Sequence, residues 1–293
     1  MTDSGDRPRW RTEQRFEFIE FRLFWEGAIR RADIAERFDV SVPQATNDLN
    51  LYREQAPENL IYDPSRKRFL PTSQFRPKFL KINADRYLAQ LKAVADRVLQ
   101  IEDTALPDSP PVDAMPIPRR LMDPWLLRQL VAAIRKRRSI EVLYQSMNAD
   151  RPEPIWRRIS PHAFAHDGMR WHVRAFCHLS GSFKDFIISR CSELRNEGEP
   201  GAQPDQDDRW AEFFDVVLEP NPMLAPDQRR VIAMDYDMTN GRLVVPVRKA
   251  LLYYFNKRLR LDVAGALDKP AETPIVVANR SEFVEMLRVV SGG

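Results

Sequence analysis

The chain's 293 residues, 43% hydrophobic and 30% charged, suit two or three folded domains with cores of their own. Two cysteines without a CxxC argue against a disulfide framework or a zinc site, and no apolar run approaches a membrane span, so with its polar start MTDSGDRPRW the chain reads as cytoplasmic. The formal net charge is only +3, yet residues 119–195 carry 15 Lys and Arg against 7 Asp and Glu, a local excess of the kind that attracts polyanions.

Residues Thr12 to Gly27 predict a helix with two apolar stripes, Phe16, Ile19 and Leu23 on one, Phe18, Phe21 and Trp25 on the other. The surplus stripe implies packing against a partner subunit or a following helix. A second helix is expected over Arg31 to Phe38. Ser41 and Gln44 form the Ser-x-x-Gln capping signature of a third, whose Val42, Ala45, Leu49 and Tyr52 share one inward face. LIYDPSRKRFL (60–70) then reads as a hairpin turning at Asp-Pro-Ser. Three helices followed by a hairpin is the order of a winged helix-turn-helix, which we assign to residues 1–75.

Residues 76–104 predict an amphipathic helix with Leu88, Leu91, Ala95, Val98 and Leu99 on one face, and the prolines of LPDSPPVDAMPIP (106–118) end it, making 76–118 a helical linker region. A short helix from Asp123 to Arg138 precedes strand-like runs at 139–147, 156–166, 170–179 and 183–191, with tight turns at 166–168 and 180–182. Strands joined this closely imply a small antiparallel barrel or a strongly curled sheet. NEGEPGAQPDQDD (196–208) reads as an acidic linker. Residues 209–293 read as a small α+β module, in which Leu251, Leu252 and Phe255 are expected to help close a dimer.

With its apolar face inward, the third helix presents Pro43, Gln44, Thr46, Asn47 and Asn50, amides and hydroxyls suited to base edges in a major groove. Its N-terminus at Ser41 offers backbone N–H groups to a phosphate. Arg66, Lys67 and Arg68 put three cations at the hairpin tip, where they supply affinity without sequence choice. A three-helix domain with a polar face can also serve protein interaction; the basic tip favours DNA.

In RWHVRAFC, strand alternation puts Trp171, Val173, Ala175 and Cys177 on one side and Arg170, His172, Arg174, Phe176 and His178 on the other. Arg190 is expected on a strand with Phe186 and Ile188, Tyr144 and Ser146 share a face of an earlier strand, and His162 follows Ser160-Pro161 at a bend. Such residues can build a phosphate or nucleotide pocket, or they can be the wet face of a hairpin; parity alone leaves both open.

The run from Ile140 to Leu194 resembles a WYL domain, a small Sm-like β-barrel named for a Trp-Tyr-Leu tripeptide. Trp171-His172-Val173 stands at that place, followed by Arg174, and the VLYQS, RISPHAF and DFIISR strands surround it. The Trp-His-Val-Arg form is similar to a subgroup among repressors of bacterial CBASS and BREX antiphage systems, where winged helix, WYL barrel and C-terminal extension run in this order. The resemblance implies an α+β multidomain, homodimeric repressor with a WYL sensor over residues 119–198 and a dimerisation extension over 209–293. It further implies a nucleic-acid or nucleotide effector at Tyr144, Ser146, His162, Arg174 and Arg190. His172, where the family name has Tyr, departs from the pattern.

The four histidines lack metal-site spacing, and no GxSxG, GxxxxGK[ST] or GxGxxG occurs, so neither catalysis nor a cofactor is expected. Cys177 is expected to be a buried, inert thiol. We therefore expect a repressor that releases duplex operator DNA when its effector binds. The alternative is an accessory protein that binds single-stranded nucleic acid and regulates a partner enzyme.

Overall fold

Phe16, Ile19 and Leu23 recur at helical spacing because they face one core, and in the computed structural model all three are buried on α1 (Asp6–Trp25). The structure describes residues 6–291, apart from 102, 103, 105, 107, 108, 148, 150, 151 and 265–268. Thus the first five residues, and positions 107 and 108 of the expected linker, lie outside the described residues. The chain divides into two units, Met1–Ile117 and Pro118–Gly293.

In the first unit, α2 (Arg31–Phe38) and α3 (Val42–Gln55) pack on α1, followed by the hairpin of β1 (Leu60–Asp63) and β2 (Arg68–Pro71). Ile29 forms an isolated antiparallel bridge to Phe69 of the wing, with backbone N–H to O distances of 2.9 and 2.8 Å. Three buried carboxylates hold this fold together. Glu20 accepts the Tyr52 hydroxyl and the backbone N–H groups of Lys78, Phe79 and Leu80. Asp48 of α3 pairs with Arg15 of α1 at 2.7 Å, and Asp33 of α2 with Arg22 at 3.3 Å. Buried charges require such partners.

The second stripe of α1 is covered within this unit. Phe21 and Trp25 meet Leu80, Tyr87, Leu91 and Leu106, with Trp25 stacked on Tyr87 at 4.3 Å. Here the predicted helix over 76–104 is corrected: α4 spans Ala84–Ala95, and Arg97 turns the backbone left-handed (φ 55°). Tyr87 and Leu91 make its inward face, while Leu88 and Val98 are 58% and 71% exposed. Val42 is a further correction at 53% exposed; the buried face of α3 is Ala45, Asp48, Leu49 and Tyr52.

In the second unit, Asp123 caps α5 (Pro124–Lys136) by accepting from the Trp125 N–H. The strands β3 (Ser139–Tyr144), β4 (Ile155–His166), β5 (Trp171–Cys177), β6 (Ser182–Ile187) and β7 (Cys191–Gly198) form an antiparallel sheet in the order β6-β5-β4-β3-β7. Among the described residues β6 and β7 remain unpaired edges. The sheet is therefore open, which corrects the expected closed Sm-like barrel. β7 also corrects the reading of residues 196–198 as linker. In the β4–β5 turn Gly168 has φ +93°, and the Arg258 guanidinium occupies the space that a Cβ would need.

A four-residue helix α6 (Asp208–Ala211) leads into β8 (Phe213–Pro220), α7 (Pro226–Asp235), β9 (Leu243–Arg248), α8 (Leu252–Arg258), β10 (Ile275–Val277) and α9 (Arg280–Ser291). The strands order as β10-β8-β9. Leu252 is fully buried, and Leu251 and Phe255 pack beside it with Val216, Leu218 and Phe283. Leu252 is thus core of the module, while Leu251 and Phe255 are half-buried beside it.

Candidate nucleic-acid interface and sensor site

Ser41 accepts from the Gln44 N–H at 3.3 Å, so α3 begins where its capping residue implied. The reciprocal half of the capping box is replaced by a bond from the Gln44 amide to Asp48 at 3.1 Å. Thr46 turns its hydroxyl back to the Val42 carbonyl at 2.9 Å, and Asn50 accepts from Arg53 at 3.5 Å. Pro43, Asn47 and Asn50 are exposed, while Gln44 and Thr46 are half-buried. Asn47 is thus the amide least committed to the helix itself, well placed for a base edge.

The wing tip is built by Asp63, whose carboxylate accepts from the Ser65 N–H and hydroxyl and from the Arg66 N–H at 2.6–3.2 Å. The Ser65 hydroxyl, then these N–H groups, hold that carboxyl below its ordinary range. Arg66 and Lys67 are exposed at the tip. Arg68 instead starts β2 opposite Asp63 and is half-buried, so two of the three expected cations stand at the turn.

In the second unit the five expected ligand residues do not come together on one face. Val142, Tyr144, Val173, Ala175, Cys177 and Phe186 face a common core with α5. Tyr144 and Ser146 line a cavity of about 370 Å³ at the edge of that core, together with Arg157, Ser180, Lys184 and Phe186. β3 ends at Tyr144, so strand parity does not place Ser146; the segment beyond the strand does. The Arg157 guanidinium lies over the Tyr144 ring at 5.7 Å, and its Nε is buried with no partner. Sequence reasoning missed Arg157 and Lys184, although both belong to the charge-rich central stretch.

His162 and Arg174 lie on the opposite face. A bulge between Pro161 and Ala163 inserts His162 into β4 beside Arg174. Both side chains converge on Asp207: Arg174 Nε and Nη2 donate to its two oxygens at 2.7 and 2.9 Å, and His162 Nε2 lies 2.9 Å away. Arg174 Nη1 reaches Asp185 at 3.3 Å, and the Tyr254 hydroxyl donates to Asp185 at 3.2 Å. Burial tends to raise the Asp207 pKa, but the hydrogen bonds from His162 and Arg174 outweigh it and hold the carboxyl at about 2. For Arg174 burial works against the charge, and Asp207 and Asp185 reverse that effect and raise its pKa.

His172 is buried too, with Nε2 2.9 Å from Asp167 and its ring against Tyr254 at 4.9 Å. Its Nδ1 is buried without a partner. Burial opposes the Asp167 charge, but bonds from His172, Arg170 and backbone N–H groups hold its carboxyl well below the ordinary value. The polar side of β5 is therefore enclosed by residues 207–210 and α8. The stretch read as an acidic linker lies across it, with Gly201 N–H donating to Ser160 at 2.9 Å.

Two further expectations are corrected. Trp171, which alternation groups with the core residues Val173, Ala175 and Cys177, is 47% exposed and packs on His166 at 4.8 Å, because the first residue of β5 lies beyond the end of the core. Arg190 sits in a 3-10 turn over Ile188–Arg190, off any strand face, and its side chain has no hydrogen bond or ion pair among the described residues. Cys177 and Cys191 are free and buried. Among the described residues no His, Cys, Asp and Glu cluster is arranged to hold a metal ion, and no helix is long and apolar enough to cross a membrane.

Residues 11–93 match the model of the BrxR transcriptional regulator winged helix-turn-helix domain, residues 126–196 that of the WYL domain, and residues 213–283 that of the BrxR C-terminal dimerization domain. The DNA-binding transcriptional repressor CapW of Stenotrophomonas maltophilia is 37% identical over 98% of this chain and 96% of its own length. Proteins of the same description from Escherichia coli (strain KTE188) and Pseudomonas aeruginosa are 35% and 36% identical, over 96% of this chain and 93% of theirs. Among solved structures, the proteasome accessory factor B/C of Arthrobacter aurescens aligns with 94% of this chain and 46% of its own, at 15% identity and a TM-score of 0.30, too slight a likeness to build on.

Proposed function

This chain belongs to the CapW family of DNA-binding transcriptional repressors, and from that premise we propose that it grips a pseudo-palindromic operator as a homodimer and releases it when a nucleic-acid or nucleotide effector binds the WYL sheet. The operon it controls is one of antiphage defence. Two copies of α3 read half-sites, Asn47 and Asn50 meet base edges, and Ser41, Pro43, Gln44 and Thr46 line the approach to the groove. Arg66 and Lys67 hold the flanking phosphates, and Arg68 stands at the foot of the wing.

The observation that carries the DNA-binding role is the pairing of an exposed amide on α3 with a cationic tip on the adjoining hairpin. For the effector, the cavity at Tyr144 and Ser146 supplies neutral donors beside Arg157 and Lys184, which suit phosphate oxygens, while the one carboxylate in its lining, Asp185, is engaged by Arg174 and Tyr254. His162 and Arg174 offer a second anion-binding pair on the opposite face, and Arg190 stands in the turn between β6 and β7. For the effector to drive release, it must bind the DNA-free geometry more tightly than the DNA-bound one.

Gel shifts with the duplex upstream of the gene, against random duplex at moderate salt and then with candidate effectors, test this reading. Preference for the upstream duplex, lost on adding nucleotide or short nucleic acid, is the expected result. Equal binding to every duplex, with tighter binding to single strands, favours the accessory-protein alternative.

A further inference from the structure

We infer that Asp207 is a built-in competitor of the effector: its carboxylate occupies an anion site made by Arg174 and His162, and a phosphate group enters that site only as the segment carrying Asp207 lifts away. This inference rests on the effector-sensing reading above and adds how the sheet and the dimerization module are coupled.

The site cannot stand empty. Arg174 and His162 are 4% and 5% exposed at their side chains, and a buried guanidinium without a counter-anion is strongly unfavourable. Asp185 takes only Nη1, at 3.3 Å, so an anion is still needed on the Nε–Nη2 edge and beside His162, and in this structure it is Asp207, itself 1% exposed. Nε and Nη2 of Arg174 each grip one carboxylate oxygen, a two-point fork that fits two oxygens of a phosphate equally well. Exchanging one anion for another keeps a negative group on the buried guanidinium.

Asp207 is also tied to the C-terminal module. It stands at the start of α6 and accepts from the Trp210 N–H through both its carbonyl (2.9 Å) and its carboxylate (3.3 Å). Trp210 packs edge-on against His162 at 5.8 Å, and Arg248 of β9 lies over the same indole at 4.8 Å. Removing Asp207 from Arg174 thus undoes the cap of α6 and loosens Trp210 from both the sheet and the module. The module is the segment that matches a dimerization domain, so the displaced anion acts directly on subunit geometry. The latch also lowers the effector's apparent affinity by the fraction of molecules in which it is open.

The test uses the full-length wild-type protein, Asp207→Asn and Asp207→Glu, titrated calorimetrically with inorganic phosphate, a nucleoside monophosphate and a short 5′-phosphorylated single-stranded oligonucleotide. Asp207→Asn should bind at least one probe about tenfold more tightly than wild type, whereas Asp207→Glu, which restores the carboxylate, should stay within about twofold. The arm that responds identifies free phosphate, nucleotide or strand as the source. A folded Asp207→Asn dimer that binds all three no more tightly overturns the latch. If that variant does not fold, hydrogen exchange on wild type decides: saturating probe should speed exchange at the Trp210, Ala211 and Glu212 amides, and unchanged exchange overturns the inference. Probe-induced operator release by wild type, combined with an unresponsive Asp207→Asn, sinks the latch and leaves effector sensing standing. Absence of release with every nucleotide and strand sinks effector sensing itself.

Discussion

The Glu20 carboxylate of α1 accepts the hydroxyl of Tyr52 from α3 at 2.9 Å, thirty-two residues away, in the closed centre of the N-terminal unit. The same carboxylate accepts three consecutive backbone N–H groups at 78–80, so one side chain fixes the recognition helix against α1 and anchors the segment leading to α4. Burial raises the Tyr52 pKa strongly, with the nearby Glu20 charge adding to the effect, so the phenol stays the donor. Glu20→Gln turns at least one of these acceptors into a donor facing a donor. We expect a loss of about 2–4 kcal/mol in urea unfolding, with operator binding falling as the unfolded fraction rises.

The wing makes a prediction about salt. Arg66→Ala combined with Lys67→Ala removes two exposed cations and the loose Arg66–Asp63 ion pair (3.9 Å), but keeps the bonds from Ser65 and the Arg66 N–H through which Asp63 builds the turn. The slope of log affinity against log salt for the operator should shrink by about 2, and random duplex should weaken in proportion. An unchanged slope in titrations at several salt concentrations removes the wing from the interface.

Asn47 should behave differently. Asn47→Ala leaves every hydrogen bond of α3 in place, and we expect it to weaken operator binding by about 1–3 kcal/mol while random duplex is bound as before. Gln44 is the weaker candidate because its amide is already held by Asp48. Competition gel shifts with single-base operator variants would locate the base read by Asn47.

The cavity at Tyr144 predicts a separation of functions. Arg157→Gln with Lys184→Gln should leave operator affinity and unfolding within experimental error of wild type, yet raise the effector concentration for release by about tenfold or more. Arg174→Ala is a poorer probe of sensing. It strands Asp207 and half of the Asp185 bonding, and should lower stability by about 3–5 kcal/mol.

Acid should open the second unit in a defined window. The Asp207 pKa is lowered to about 2, and a lowered carboxyl contributes stability that is complete above its ordinary value of about 4. That contribution, about 2 kcal/mol, is lost as pH falls from about 4 through 2. Asp167, also lowered, adds to the loss in the same direction. Unfolding midpoints followed by tryptophan fluorescence should therefore be insensitive to these two groups above about pH 5 and drop below 4. In Asp207→Asn part of that drop should disappear.

Much of this architecture is written in local pattern. Stripe spacing placed α1 to α3, Asp-Pro-Ser placed the wing turn, and alternation correctly put Val173, Ala175 and Cys177 toward a core. The local excess of positive charge falls in the segment that matches the WYL domain. Alternation says which residues share a side, however, and nothing about what covers the other side. Only the tertiary structure laid residues 207–210 and Tyr254 over His172 and Arg174, turning an apparent wet face into a buried ion network. Asp207 was illegible for the same reason: in sequence it is one acidic residue in a polar linker, and its partners His162 and Arg174 lie forty-five and thirty-three residues away. Burying a charge demands a counter-charge from wherever the chain can bring one, and that choice is made by packing rather than by neighbours in sequence.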